Sequence, residues 1–349
     1  MKSLRVLVVD DSAYSRRSIT KMLEGMPGVE VVGYAVDGEE GIRQAISLKP
    51  DLVTLDLEMP RMDGFTLLRI LTNRFSLPVL VISALSDADK VFRALEMGAL
   101  DFVAKPMQGH TRELSSIEQD LRWKVKQVMV NLLSRKARQS VPLPELDTVR
   151  RASRAVSKRT VELVAIASST GGPPALQSIF SSFDQSYPFS VVVAQHMPAG
   201  FTRAFAERLN RTSPFTVREA KDNDVVEAGV ALIAPGGSNL VLEENDGVVR
   251  AKVRPPEAKD RYVPSADVLF ESCARLYGNR MLAVVLTGMG NDGSKGVVAV
   301  KERGGQVLAE SEDSAVVYGM PREAVATGCV DRVVPLPGIS QAILVCGGF

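Results

Sequence analysis

Leu4-Arg-Val-Leu-Val-Val-Asp10-Asp11-Ser12 is the stretch that decides the fold of the first third of the chain. A short valine-rich run ending on two adjacent carboxylates reads as a buried strand followed by a turn, since β-branched residues suit strands and Asp and Ser end them. Working outward, the same rhythm recurs at Val29–Ala35, Leu52–Leu55, Pro78–Ser83 and Asp101–Val103. Between these runs, Tyr14–Glu24, Glu39–Leu48, Phe65–Asn73 and Ala88–Met97 return apolar residues at helical spacing. Five such strand–helix units predict a parallel sheet covered on both faces, the doubly wound α/β class. A last helix is expected from about Glu113 to Leu133.

A second α/β series begins near Thr160. Leu163–Ala167 and Ser190–Ala194 read as strands, each followed by a helix, the first opened by Gly171-Gly172-Pro173 and the second spanning about Gly200–Asn210. Val230–Ile233, Leu240–Leu242 and Val248–Val253 are strand-like and broken by turns. Ala266–Leu276 (helix), Leu282–Thr287 (strand), Asn291–Arg303 (helix) and Gln306–Ala309 (strand) complete the series. The expected organisation is one domain over 1–121, a helical, basic linker over 122–159, and a second doubly wound α/β domain over 160–349.

Composition narrows the function classes. In 349 residues there is no apolar run long enough to span a bilayer; stretches such as Met281–Leu286 are strand-sized. The N-terminus has neither a long apolar segment nor a small-residue cleavage site, so no signal peptide is read. Cys273, Cys329 and Cys346 form no disulfide framework and have no metal-ligand spacing, which suits a reduced, cytoplasmic protein. Residues 122–159 carry eleven Lys and Arg against two acids, although the whole chain is only +1. Such a stretch could touch nucleic acid or anionic lipid, but Pro142, Pro144 and the acidic flanking segments favour a solvated linker.

The first domain concentrates carboxylates. Asp10 and Asp11 follow the first strand and Asp56 the third, at the carboxyl ends that line the ligand crevice of an open parallel sheet. Three carboxylates in one pocket repel unless a hard divalent cation such as Mg²⁺ joins them. Asp56 could then accept a phosphoryl group as an acyl phosphate. Ser83 closes the fourth strand and Lys105 the fifth, with Pro106 adding a rigid turn. These five residues, with Met59-Pro60 and Met62-Asp63-Gly64, resemble the response-regulator receiver pattern. The resemblance implies a flavodoxin-like (βα)5 fold with Asp56 as phospho-acceptor, and Asp10, Asp11, Asp56 and the Glu58 backbone carbonyl around Mg²⁺. It also implies Ser83 and Lys105 as phosphoryl contacts and Phe102 as the aromatic that reports the switch.

The second domain places hydroxyls at a strand-to-helix turn, Ala167-Ser168-Ser169-Thr170-Gly171-Gly172-Pro173. A serine there is exposed above a sheet with helix N–H groups nearby, and Ser169, with glycine at +2, is a better nucleophile candidate than Ser168. Alone, the turn could equally bind a phosphate. The chain has only two histidines; His110 reads as a surface residue, while His196 follows a strand in Gln195-His196-Met197-Pro198. Thr287-Gly-Met-Gly-Asn-Asp292-Gly293 follows another strand and presents Asp292, which could instead cap the helix beginning there. Ser169, His196 and Asp292 at the ends of three strands can meet as a triad, with N–H groups near Thr170 and Met289 as oxyanion donors. The chain order Ser, His, Asp is not that of the α/β-hydrolases.

Ser-Thr-Gly-Gly-Pro, Gln-His-Met-Pro, Ala234-Pro-Gly-Gly237 and Thr-Gly-Met-Gly-Asn-Asp-Gly, in this order after a receiver, resemble the CheB family of chemotaxis-type protein-glutamate methylesterases. The resemblance implies Ser169, His196 and Asp292 as the triad, no cofactor for the esterase, and receptor glutamine deamidation as a second activity. It implies methyl-accepting chemotaxis receptors as substrate and a sensor histidine kinase as phosphodonor; the charge distribution and the lack of a bilayer-length apolar run argue against nucleic acid and membrane insertion. Two departures stand out: Ala167 where the family commonly has glycine, and Asn239 where histidine is frequent. Two competing classes remain: a receiver with a nucleic-acid-binding output, which the acidic, βα-alternating second half without a helix-turn-helix pattern disfavours, and a receiver fused to a non-catalytic ligand- or nucleotide-binding output.

Overall fold

The computed structural model describes residues 3–84, 88–105, 117–138 (backbone only from 131) and 161–349. His110 and Pro106, singled out in the sequence, lie outside the described residues, as does most of the expected linker. The chain divides into two compact units, residues 1–145 and 146–349.

In the first unit the strands are β1 (Leu4–Val9), β2 (Val29–Ala35), β3 (Leu52–Leu55), β4 (Val79–Ala84) and β5 (Asp101–Lys105). They pair in parallel in the order β2-β1-β3-β4-β5, the flavodoxin-like arrangement. The helices are α1 (Ala13–Glu24), α2 (Gly38–Leu48), α3 (Gly64–Phe75), α4 (Ala88–Glu96) and α5 (Glu118–Arg138). Their starts are written locally: Ser12, Asp37 and Asp63 each accept a backbone N–H from the first turn of α1, α2 and α3.

The boundary expected at 121/122 cuts through α5. Ile117, Leu121, Val125 and Val128 are buried against Leu4, Val6, Ile19, Leu23 and Val103, so the helix is part of this unit's core. Lys124, counted with the solvated basic residues, is buried instead. Its ammonium lies 3.2 Å from Asp120 and 3.5 Å from Asp101. Burial opposes its charge, yet Asp101 and Asp120 more than offset that, and the Lys124 ammonium is held above its usual range. Charge counting hid a helical stripe whose apolar side packs.

The second unit adds β6 (Leu163–Ser168), β7 (Ser190–Gln195), β8 (Thr216–Glu219), β9 (Val230–Ile233), β10 (Asn239–Asn245), β11 (Val248–Arg254), β12 (Met281–Val285), β13 (Gln306–Glu310) and β14 (Arg332–Val334). Seven form a parallel sheet in the order β14-β13-β12-β6-β7-β9-β8, while β10 and β11 make a separate antiparallel hairpin. The helices are α6 (Gly172–Ser182), α7 (Phe201–Thr212), α8 (Ala266–Tyr277), α9 (Ser294–Glu302), α10 (Met320–Ala326) and α11 (Ile339–Gly347). β6, β7 and β12 are buried at every position, as central parallel strands should be. The apolar faces of these strands pack with α8 residues Leu269, Phe270 and Cys273 in one core. Topology puts the ends of β12, β6 and β7 side by side, where the candidate residues lie.

Candidate active site and phosphorylation pocket

The receiver-type pocket forms at the ends of β1, β3 and β5. Ligand oxygens of Asp10, Asp11 and Asp56 lie within 4.8 Å of one another. Lys105 reaches in from the end of β5, with Nζ 2.7 Å from Asp10 Oδ2 and 2.5 Å from Asp56 Oδ2. Burial pushes the Asp10 carboxyl up, opposed by the Lys105 charge and reinforced by that of Asp56. Burial works against the Lys105 ammonium too, but the Asp56 and Asp10 charges prevail and raise it. The Ser83 hydroxyl at the end of β4 is buried without a hydrogen-bond partner among the described residues. The Glu58 N–H donates to Asp56 Oδ1 at 3.2 Å, and the Glu58 carboxylate pairs with Lys90. Phe102 is buried in β5, its ring 5.0 Å from the Lys124 ammonium.

Three hard oxygen donors held this close suit Mg²⁺, and the unpartnered Ser83 hydroxyl suits an incoming phosphoryl oxygen. Asp10, Asp11 and Asp56 are the side chains that would hold the ion.

In the second unit, β6 runs into the serine turn and α6 begins at Gly172. Ser168 is fully buried and donates to Gln195 Oε1 at 2.7 Å, so its hydroxyl is committed. Gln195 Nε2 in turn donates to the carbonyls of Ser169 and His196, both at 3.0 Å. A Cβ at position 172 would collide with Gln195 Oε1, which is why a glycine opens this helix. Ser169 carries the hydroxyl left over; its N–H donates to Thr287 O at 3.1 Å. Thr287 Oγ1 donates to Thr170 O at 2.9 Å, tying the turn to the loop after β12. A Cβ at Gly288 would fall 2.9 Å from Ser169 N, so the Met289 loop lies against the Ser169 turn.

β6 and β7 are in register at Ser168 and Gln195, and His196 N donates to Ser168 O at 3.0 Å. Ser169 and His196 are therefore the next residues along two paired strands. His196 Nε2 lies 2.8 Å from Asp292 Oδ2, leaving Nδ1 buried and without a partner among the described residues. No hydrogen bond joins Ser169 Oγ to His196 here, a bond commonly formed only with substrate. Tyr262 stacks on the imidazole with ring centroids 5.2 Å apart and planes 3° apart.

Asp292 is 2% exposed and does cap a helix, though α8 rather than the α9 that follows it. It accepts from Ser265 Oγ at 3.0 Å, Ala266 N at 2.7 Å and Asp267 N at 3.0 Å. Burial would raise the Asp292 carboxyl; the hydrogen bond and charge of His196 and the two α8 N–H groups outweigh it and hold the group below its ordinary range. The expected helix from Asn291 starts at Ser294, because Asn291, Asp292 and Gly293 form the turn that delivers this carboxylate.

Comparison with known proteins fixes the family. The CheB methylesterase family model matches residues 164–343 and the response regulator receiver model residues 6–115. The chain belongs to the CheB methylesterase family. Among its relatives is protein-glutamate methylesterase/protein-glutamine glutaminase 3 of Geobacter sulfurreducens, 55% identical across 99% of this chain and 97% of that protein. The Myxococcus xanthus protein-glutamate methylesterase/protein-glutamine glutaminase 1 is 45% identical over 97% and 96% of the two chains. The crystal structure of the Thermotoga maritima CheB methylesterase catalytic domain aligns with a TM-score of 0.52 and 39% identity, over 53% of this chain and 98% of that one.

Both departures from the usual CheB sequence are accommodated. Ala167 is buried in regular strand, in register with Ala194 and Val285, where a methyl group fits. Asn239, also buried, accepts from Ser265 N at 2.8 Å and donates to Asp260 at 2.7 Å. Of the three residues expected as a triad, the structure joins His196 to Asp292; Gln195, Tyr262 and Ser265 around them were not singled out in the sequence. Gln195 had a signal, an amide next to the histidine in a strand-end motif; Tyr262 and Ser265 had none, because their contacts span 66 positions to His196 and 27 to Asp292.

Proposed function

We propose that this CheB-family enzyme hydrolyses glutamate γ-methyl esters on methyl-accepting chemotaxis receptors through Ser169, His196 and Asp292, under control of Asp56 phosphorylation. The observation that carries the reading is the 2.8 Å contact between His196 and a buried, ionised Asp292, beside the one uncommitted serine of the turn. With Nε2 toward Asp292, His196 Nδ1 is the atom that takes the proton of Ser169 Oγ as it attacks the ester carbonyl. The same nitrogen returns that proton to the leaving methoxide, giving methanol, and then activates water against the acyl-enzyme. Asp292 fixes the tautomer and stabilises the imidazolium, and the Tyr262 face supports the cation. N–H groups near Thr170 and Met289 serve the oxyanion. A glutamine amide has the shape of the ester, so deamidation follows the same steps with ammonia leaving.

Asp56 accepts a phosphoryl group from a chemotaxis-type sensor kinase, and Ser83 and Lys105 contact it. Bound Mg²⁺ would supply charge neutralisation for that group. Phe102 reports the change, and the unphosphorylated receiver restrains the esterase. We place the receiver at 1–121, extended by the packed part of α5, the linker up to about 159 and the esterase from 160. No described helix is long and apolar enough to cross a membrane; the proposed site of action is the cytoplasmic face of the receptors. Mass spectrometry of receptor peptides tests the reading: loss of the methyl ester and conversion of glutamine to glutamate, both abolished by Ser169→Ala, are expected. Unchanged peptides after incubation with the wild type would refute it.

A further inference from the structure

We infer that Ser265 is a positioning residue of the esterase, whose hydroxyl proton holds the Asp292 carboxylate in the plane that His196 requires. The inference rests on the triad reading and deepens it.

Ser265 is buried at 7% exposure, one residue before α8. A serine hydroxyl has one proton and two lone pairs. Here the proton goes to Asp292 Oδ1 at 3.0 Å, while a lone pair accepts Val268 N at 3.3 Å. One side chain thus caps the helix and donates to the carboxylate. Its backbone is held as well: Ser265 N donates to Asn239 Oδ1, and Asn239 is fixed by Asp260, which also accepts Glu257 N at 2.9 Å. A connected path therefore runs from β10 through Ser265 to Asp292 and His196. Each Asp292 oxygen has two partners: Oδ1 takes Ser265 Oγ and Asp267 N, and Oδ2 takes Ala266 N and His196 Nε2. Four partners leave the carboxylate no rotation. Removing the hydroxyl proton leaves Oδ1 with one N–H and loosens the grip on the imidazole tautomer that matters most as charge develops on it.

Capping and positioning predict opposite orders of activity, which makes them separable. Aspartate caps a helix as well as serine does, but at 265 it donates nothing and sets a second carboxylate against Asp292. The experiment compares kcat and KM for methanol release by Ser265→Thr, Ser265→Ala and Ser265→Asp, with melting temperatures alongside and Ser169→Ala as control. Ser265→Ala is expected to lose roughly ten- to a hundredfold in kcat at unchanged KM, the scale of one hydrogen bond to a charged group. Ser265→Thr should recover most of that loss, and Ser265→Asp should fall below Ser265→Ala. Ser265→Asp as fast as wild type, with Ser169→Ala silent, overturns the inference and leaves the triad standing. Activity in Ser169→Ala removes the triad and this inference with it. If Ser265→Asp does not fold, equal kcat for the Ala and Thr variants overturns the inference.

Discussion

Two carboxylate sites sit at carboxyl ends of parallel strands in this chain, and they are balanced in different ways. In the receiver pocket, Asp10 and Asp56 share one ammonium, Lys105, on a long rotatable side chain. In the esterase, Asp292 is surrounded by fixed donors: a hydroxyl, two helix N–H groups and an imidazole. The first arrangement is acidic, three carboxylates against one ammonium on a rotatable side chain, suited to admitting a cation and a phosphoryl group. The second is preorganised, suited to holding one ionisation state through a reaction cycle. A switch and a catalyst can thus be told apart by how their carboxylates are paired.

Breaking the catalytic side should have the largest effect. Ser169→Ala is expected to lower kcat by about 10⁵- to 10⁶-fold, the scale of removing a nucleophile; a rate within tenfold of wild type in a methanol-release assay would move the chemistry elsewhere. Asp292→Asn should keep the shape but disturb the tautomer, costing about 10⁴-fold in kcat. A loss in KM alone would show that Asp292 serves binding rather than the imidazolium.

The movable side is tested next. Asp56→Asn should abolish incorporation of labelled phosphate from acetyl phosphate and remove the activation it brings, a coupling of roughly 5- to 150-fold in typical cases. Label that persists in the variant would relocate the phospho-acceptor.

How much of this contrast could be seen in the sequence follows from where each partner comes from. The acidic cluster was legible because Asp10, Asp56, Ser83 and Lys105 each lie at or next to the end of a short apolar or β-branched strand, and strand order does the rest. The placement of Ser169, His196 and Asp292 at neighbouring strand ends was legible for the same reason. Its support was not: Ser265 meets Asp292 through the start of a helix, and no local pattern announces that contact. β8, Thr216–Glu219, escaped notice because it is a short edge strand with Arg218 and Glu219, a composition that protects an edge and hides a strand. α10, β14 and α11 lie beyond Ala309, where the periodic reading stopped. The helix itself was expected over these positions; its packing beyond residue 121 was not, because the bases of 122–138 mask the apolar stripe that includes Val125 and Val128.

The smallest expected effect is a pH dependence that sharpens the catalytic half. Burial pushes the Asp267 carboxyl up to about 6, opposed by the N–H of Gly296 and assisted by the Asp292 charge. The folded state therefore holds this proton more tightly than the unfolded chain, whose group titrates near 3.8. Its contribution to stability is greatest below 3.8 and declines as pH rises through about 6. Denaturant titrations of wild type and Asp267→Asn should show the wild type losing ground to the variant across that window. A constant difference would mean that Asp267 ionises normally.

The central claim is that a movable acidic pocket governs a preorganised serine esterase, and methanol release from methylated receptor membranes tests it most directly. Wild type and Ser169→Ala would each be assayed with and without Mg²⁺ and acetyl phosphate. Release that rises with the phosphodonor and vanishes in Ser169→Ala is the predicted result. No release by the wild type while Asp56 is demonstrably phosphorylated would contradict the account.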